Sequence, residues 1–115
     1  MTIKETMENN IAVLYVKGDI LSEEDTTKFR EKINSLVTDK VKQVVVDLAG
    51  VNLINSSGLG TIIAALTTLH NSGGDLRLSR ISDKVQNLFV ITKLVQVFDT
   101  YETSERAVAS FAAKK

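Results

Sequence analysis

The stretch from Val44 to His70 constrains this chain more than any other part of it. Val44-Val45-Val46 is a β-branched run of the kind found in strands covered on both faces. Leu59, Ile62, Ile63, Leu66 and Leu69 then fall at offsets 0, 3, 4, 7 and 10, which is one apolar stripe of an α-helix. Between strand and helix, Asn55, Ser56 and Ser57 are residue types that cap helix starts, because their side-chain oxygens accept from otherwise unpaired backbone N–H groups. Gly58 and Gly60 allow the chain to turn tightly and leave the cap uncovered. A serine hydroxyl at the positive end of a helix dipole is well placed to carry a phosphate. Ordinary capping accounts for the same residues, so spacing alone leaves both readings open.

The flanking sequence supplies the rest of an α/β domain. Residues 3–8 alternate loosely as an edge strand, and Asn9-Asn10 tolerates the positive φ of a hairpin turn. Ile11 to Val16 reads as a central strand that ends at Gly18-Asp19. Ser22 with Asp25 forms a capping box for a helix over 23–38, which buries Phe29, Ile33, Leu36 and Val37 and solvates Lys28, Arg30, Glu31 and Lys32. Asn71-Ser72-Gly73-Gly74 stops the central helix with glycines for left-handed backbone. Leu76-Arg77-Leu78 alternates as a strand, and Ser82-Asp83 opens a short helix with Val85, Leu88 and Phe89 inward. Val95 to Phe98 reads as a last strand. Thr103 or Ser104 caps a terminal helix burying Ala107, Val108 and Phe111, and Ala112 to Lys115 are expected to fray. The expected fold is a single α/β domain over 1–115. Its mixed central sheet has about four or five strands, partly parallel through right-handed crossovers, with about four helices packed on it.

Composition removes several function classes. The 115 residues are enough to bury a core without staples, and with no cysteine there is no disulfide, thiol catalysis or cysteine-ligated metal. Fourteen basic and fourteen acidic residues balance to zero, so nothing draws the chain to nucleic acid or an anionic membrane. Met1-Thr2-Ile3-Lys4-Glu5 has no signal-peptide core and no apolar run approaches a membrane span, which makes the cytoplasm the expected location. Catalytic signatures are missing too. Ile63 stands where a dinucleotide turn needs its third glycine, no Gly-Lys-Ser/Thr occurs, and Ile54 stands where a nucleophile elbow needs glycine. His70 is a single histidine with no neighbouring motif, and Asp47 reads as a turn or cap partner. The expectation is a protein without catalytic residues, cofactor or metal.

Val44-Val45-Val46-Asp47-Leu48 followed by Ser56-Ser57-Gly58-Leu59-Gly60-Thr61 resembles the signature of the STAS domain, and more narrowly the bacterial anti-sigma-factor antagonists. Supporting segments are Val16-Lys17-Gly18-Asp19-Ile20, Gly73-Gly74-Asp75-Leu76, Val85-Gln86-Asn87-Leu88-Phe89, and Thr100-Tyr101-Glu102-Thr103 with Ala107 behind it. The resemblance implies a partner-switching phosphoprotein. Its unmodified form binds an anti-sigma factor that is also a serine kinase, releasing the sigma factor. Phosphorylation of Ser56, with Ser57 the runner-up, switches it off, and a serine phosphatase resets it. Implied partner contacts are Asp19, Leu21, Ser22, Asn55, Ser57, Gly58 and Leu59, although Leu59 also suits the core. Two positions depart from the family pattern: Asn55 where aspartate is usual, and Leu21 where an acidic residue is common. These departures favour a second expectation, a STAS scaffold or interaction subunit of a larger regulatory complex that is never phosphorylated.

Overall fold

The structure, a computed structural model, describes residues 1–112. The chain runs β1 (Thr2–Glu8), β2 (Ile11–Lys17), α1 (Glu23–Thr38), β3 (Gln43–Gly50), α2 (Ser56–Asn71), β4 (Asp75–Ser79), α3 (Asp83–Ile91), a 3-10 turn (Leu94–Gln96), β5 (Thr100–Tyr101) and α4 (Ser104–Ala112). The strands lie side by side in the order β1-β2-β3-β4-β5. The first pair is antiparallel and the remaining pairs are parallel. Asn9 and Asn10 both take positive φ, 54° and 67°, so the hairpin turns as its two asparagines predict.

Alternation along each strand sorts the core into two layers. Val44, Val46 and Leu48 of β3 join Leu14, Leu76, Phe29, Ile33, Ile62, Leu69 and Phe89 in the larger layer, under α1, α2 and α3. Val45 points the other way and meets Ile11, Val13, Ala107, Val108 and Phe111 under α4. The β-branched run is therefore buried on both faces, as its composition predicts. On the α4 side the nearly buried Arg77 lies 4.2 Å over the Phe111 ring and donates to Ser110 Oγ at 2.6 Å and Asp75 Oδ2 at 3.1 Å. These contacts give a charged residue inside the sheet both a partner and a π-face.

Helix α1 begins with the expected capping box between Ser22 and Asp25. Helix α2 ends in paired bonds from Gly73 N–H to His70 O and from Gly74 N–H to Leu69 O, with Gly73 at φ 87°. Gly74 is glycine for a different reason from its neighbour, since a Cβ there would stand 1.9 Å from the Lys42 carbonyl oxygen. Thr103 caps α4 by accepting from Arg106 N–H at 3.0 Å. The expected fraying of Ala112 to Lys115 mostly concerns 113–115, outside the described residues.

One expected element is wrong. Val95 to Phe98 is not a strand; the last strand is Thr100–Tyr101, beyond it. Lys93 takes a left-handed conformation, φ 64°, and the chain coils so that Val97 and Phe98 N–H both donate to Leu94 O. Phe98 is then buried 5.7 Å from the Phe89 ring, while Val95 and Val97 face outward. A short apolar run does not distinguish a strand from a tight coil, and the aromatic contact decides here.

Two outcomes are expected from this packing. Gly74→Ala should destabilise the protein by on the order of 3 kcal/mol in urea unfolding, because the Lys42 backbone has no room to yield. Asp75 sets the acid response. Burial pushes its carboxyl up, but bonds from His70, Leu76 N–H and Arg77 outweigh that and hold it below the ordinary 3.8. Its contribution is thus complete above that value and lost as pH falls through the lower folded one. Asp75→Asn should flatten the stability curve below about pH 4 as followed by circular dichroism.

Candidate functional site

The hydroxyl turn sits where two parallel, neighbouring strands release their chains at the same end of the sheet. The Gly18–Ser22 loop leaves β2 and the Val51–Asn55 loop leaves β3, and the backbone splices them together. Gly18 N–H donates to Gly50 O at 2.9 Å, Ile20 N–H to Leu53 O at 3.0 Å, and Asn55 N–H to Ile20 O at 3.3 Å, with Ile20 and Ile54 forming a parallel bridge. Asp19 Oδ1 accepts from Asn52 and Leu53 N–H at 3.3 and 3.1 Å. Gly58 completes the splice. A Cβ on it would lie 2.7 Å from the Ile20 carbonyl oxygen, so glycine lets the first turn of α2 press onto the loop.

Asn55 is the N-cap, and Ser56 is the first residue of the helix. Asn55 Oδ1 accepts from Gly58 N–H at 2.8 Å, while its Nδ2 donates to Leu21 O at 2.7 Å. The amide therefore closes the helix end and ties the neighbouring loop to it. Ser56 and Ser57 are both exposed, and their N–H groups have no partner among the described residues. Ser56 is thus an exposed residue beside those unpaired N–H groups, at the positive end of a 16-residue helix.

The other expected contacts divide by burial. Leu21 is 45% exposed, and Ser22 is exposed while capping α1 through Asp25 N–H at 3.1 Å. Asp19 is half-buried with its carboxylate turned onto backbone. Gly58 and Leu59 are buried, and Leu59, at 7% exposure, belongs to the core under α2. Sequence reasoning overlooked Leu53, which stands out at 48% exposure between the buried Val51 and Ile54. Its signal was an aliphatic residue in the loop of a chain whose strand had already ended. A groove of about 660 Å³ runs from this turn between α1 and α2, lined by Leu21, Thr26, Ile33, Ser57, Gly60 and Ala64 among others.

Among the described residues, neither His70 nor Asp47 reaches the turn. His70 lies fourteen residues along α2, about 21 Å at 1.5 Å per residue, and pairs with Asp75 at 2.9 Å. Asp47 is 2% exposed, in the residue parity that faces α4. Its carboxylate accepts from Ala49 N–H at 3.1 Å, which is the expected turn role. It also accepts from Ser79 Oγ and Arg80 Nε, each at 2.8 Å, which the sequence did not reveal. Those contacts hold the Arg80 guanidinium above its usual range, through the Asp47 hydrogen bond first and its charge second. Among the described residues no group of three or more metal-ligating side chains occurs, and no helix is long and apolar enough to cross a membrane. Asn55→Ala removes both bonds of the cap amide, and should lower unfolding stability by about 1–2 kcal/mol in a denaturant titration with the slope unchanged.

Residues 3–107 match the STAS domain. An anti-sigma-B factor antagonist of Bacillus subtilis is 30% identical over 79 residues, covering 69% of this chain and 72% of its own length. A crystal structure of a putative anti-sigma factor antagonist from Thermotoga maritima superposes with a TM-score of 0.86 at 20% identity, over 94% of this chain and 92% of that one. The anti-sigma factor antagonist SpoIIAA superposes at 17% identity with a TM-score of 0.75 in both its unphosphorylated and its phosphorylated form, over 98% and 96% of this chain and 100% and 99% of the respective SpoIIAA chains. The family match and the 30% identical relative show that the chain belongs to the STAS domain family, among the bacterial anti-sigma-factor antagonists.

Proposed function

We propose that this protein is a phosphorylation-controlled partner switch acting in the bacterial cytoplasm. Its unmodified form binds an anti-sigma factor that is also a serine kinase, and so frees the sigma factor. Transfer of phosphate to Ser56 ends that binding, and a serine phosphatase restores it. The protein itself is the substrate in this cycle, with ATP and catalysis on the kinase side. The observation that carries the reading is the exposed Ser56, the first residue of α2, beside N–H groups left open by a cap that serves Gly58 instead.

Charge explains how the switch works. A phosphate on Ser56 adds about −1.5 to −2 charges. The helix end stabilises it by ~0.3–1 kcal/mol, and among the described residues no cation hydrogen-bonds to the turn to add more. The charge therefore stays on the surface, where a covering partner must desolvate it. A loss of ~3 kcal/mol in binding is more than a hundredfold in affinity. No rearrangement of this chain is needed for that loss.

A second reading, an interaction subunit that is never phosphorylated, draws on a different surface. Val90, Ile91, Val95 and Val97 are all 40% exposed or more, at the end of α3 and the coil after it. Incubation with the cognate kinase and ATP, followed by mass-spectrometric mapping, separates the two readings: phosphate on Ser56 supports the switch. By titration calorimetry against the cognate anti-sigma factor, Ser56→Asp should bind at least about a hundredfold more weakly than Ser56→Ala. Ser56→Ala should bind like the unmodified protein and resist turnover. Equal affinity for the two variants removes the switch.

A further inference from the structure

The two exposed leucines beside the hydroxyl turn sit on fixed backbone. Leu21 follows Ile20, whose N–H and carbonyl are both engaged by the Leu53–Asn55 segment, and Leu21's own carbonyl accepts from Asn55 Nδ2 at 2.7 Å. Leu53 donates its N–H to Asp19 and accepts from Ile20 N–H at its carbonyl. Both side chains nevertheless remain 45% and 48% exposed. An aliphatic side chain on an already ordered backbone loses little conformational freedom when a partner buries it, which is how binding hot spots arise. The charged residues nearby, Glu23 and Arg30, line the adjoining groove and form no hydrogen bond to the turn itself among the described residues. Asp19 has its carboxylate on backbone N–H groups, and no lysine or arginine hydrogen-bonds to the Asp19–Ser22 or Asn52–Ser57 segments among the described residues.

We infer, on the reading of the function given above, that recognition at this site is apolar. Leu21 and Leu53 enter an apolar surface of the anti-sigma factor next to the region that covers Ser56, and Asn55 is the positioning residue that holds Leu21 in place. An amide suits that position because it works in both directions: Oδ1 accepts from Gly58 while Nδ2 donates to the Leu21 carbonyl. A carboxylate would keep the first bond and gain from the helix dipole. It would lose the second, because oxygen would then face oxygen. Asn55→Asp therefore releases Leu21 while leaving the helix capped, which separates positioning from stability.

The test is titration calorimetry of the full chain against the cognate anti-sigma factor, with a thermal melt and amide hydrogen exchange on each variant. Leu21→Met should bind within about threefold of the unmodified protein, and Leu21→Asp at least about thirtyfold more weakly. Asn55→Asp should bind about tenfold more weakly with its melting temperature unchanged, and should show faster amide exchange in the Gly18–Ser22 loop without any partner present. Because Leu21 is a surface residue, the melts confirm that each variant is folded. Leu21→Asp binding as tightly as Leu21→Met overturns the inference, and so does an Asn55→Asp variant with unchanged affinity and exchange. An unsubstituted protein that fails to bind is a separate result, since it removes the proposed function and this inference with it.

Discussion

Everything in this fold is referred to a strand whose middle five residues, Val44 to Leu48, are buried on both sides. With Val44, Val46 and Leu48 under three helices and Val45 under the fourth, β3 has one register in which both layers close. A slip of one residue would exchange the two layers and bring Asp47 into the larger, wholly apolar one. Asp47 reinforces the choice, since its carboxylate finds Ala49, Ser79 and Arg80 only on the α4 side. A buried carboxylate with its partners all on one face is a register key as well as a turn element. Once β3 is fixed, the place where α2 begins is fixed as well, and with it the position of Ser56.

The site is then made by neighbourhood in the sheet. The loops after β2 and β3 are far apart in sequence, but parallel pairing delivers both to one end of the sheet, where Ile20 and Ile54 bridge them. Gly58 and Asn55 draw the new helix down onto that bridge, one by having no side chain and the other by having a side chain with two faces. The resulting surface has its backbone tied by hydrogen bonds and presents hydroxyls, two leucines and open N–H groups, with Glu23 and Arg30 on the adjoining groove. A single added phosphate changes such a surface more than it would change one already crowded with charge.

Local rules written in short segments were fully legible from sequence. The paired asparagines, the Ser22–Asp25 box, the β-branched run and the helix stop each act within a few residues of themselves. Gly74 and Gly58 were legible as glycines but not for their purpose, because what each avoids, Lys42 in one case and Ile20 in the other, comes from a distant segment. The same holds for the Asp47–Arg80 pair and for the second bond of Asn55. Val95 to Phe98 was misread for a related reason: its alternation is real, but Phe98 is directed by Phe89, and no pattern within the segment records that. At the site, the hydroxyls and the cap could be read in advance. So could the burial of Leu59, the first residue of the apolar stripe, whereas the exposure of Leu53 could not, since it depends on how the loop after β3 is tied to its neighbour.

The small layer beneath α4 has a bearing on motion. Ala107, Val108 and Phe111 of that helix bury against Ile11, Val13 and Val45, with Arg77 meeting Phe111 and Ser110, and Tyr15 meeting Ser104, whereas a much larger cluster holds the other three. Cooperative units of unequal size open at unequal cost. Helix α4 rests on the smaller of the two layers, on the face of the sheet away from the other three helices. The Ser56 turn, at the start of α2, belongs to the larger layer and shares no core residue with α4.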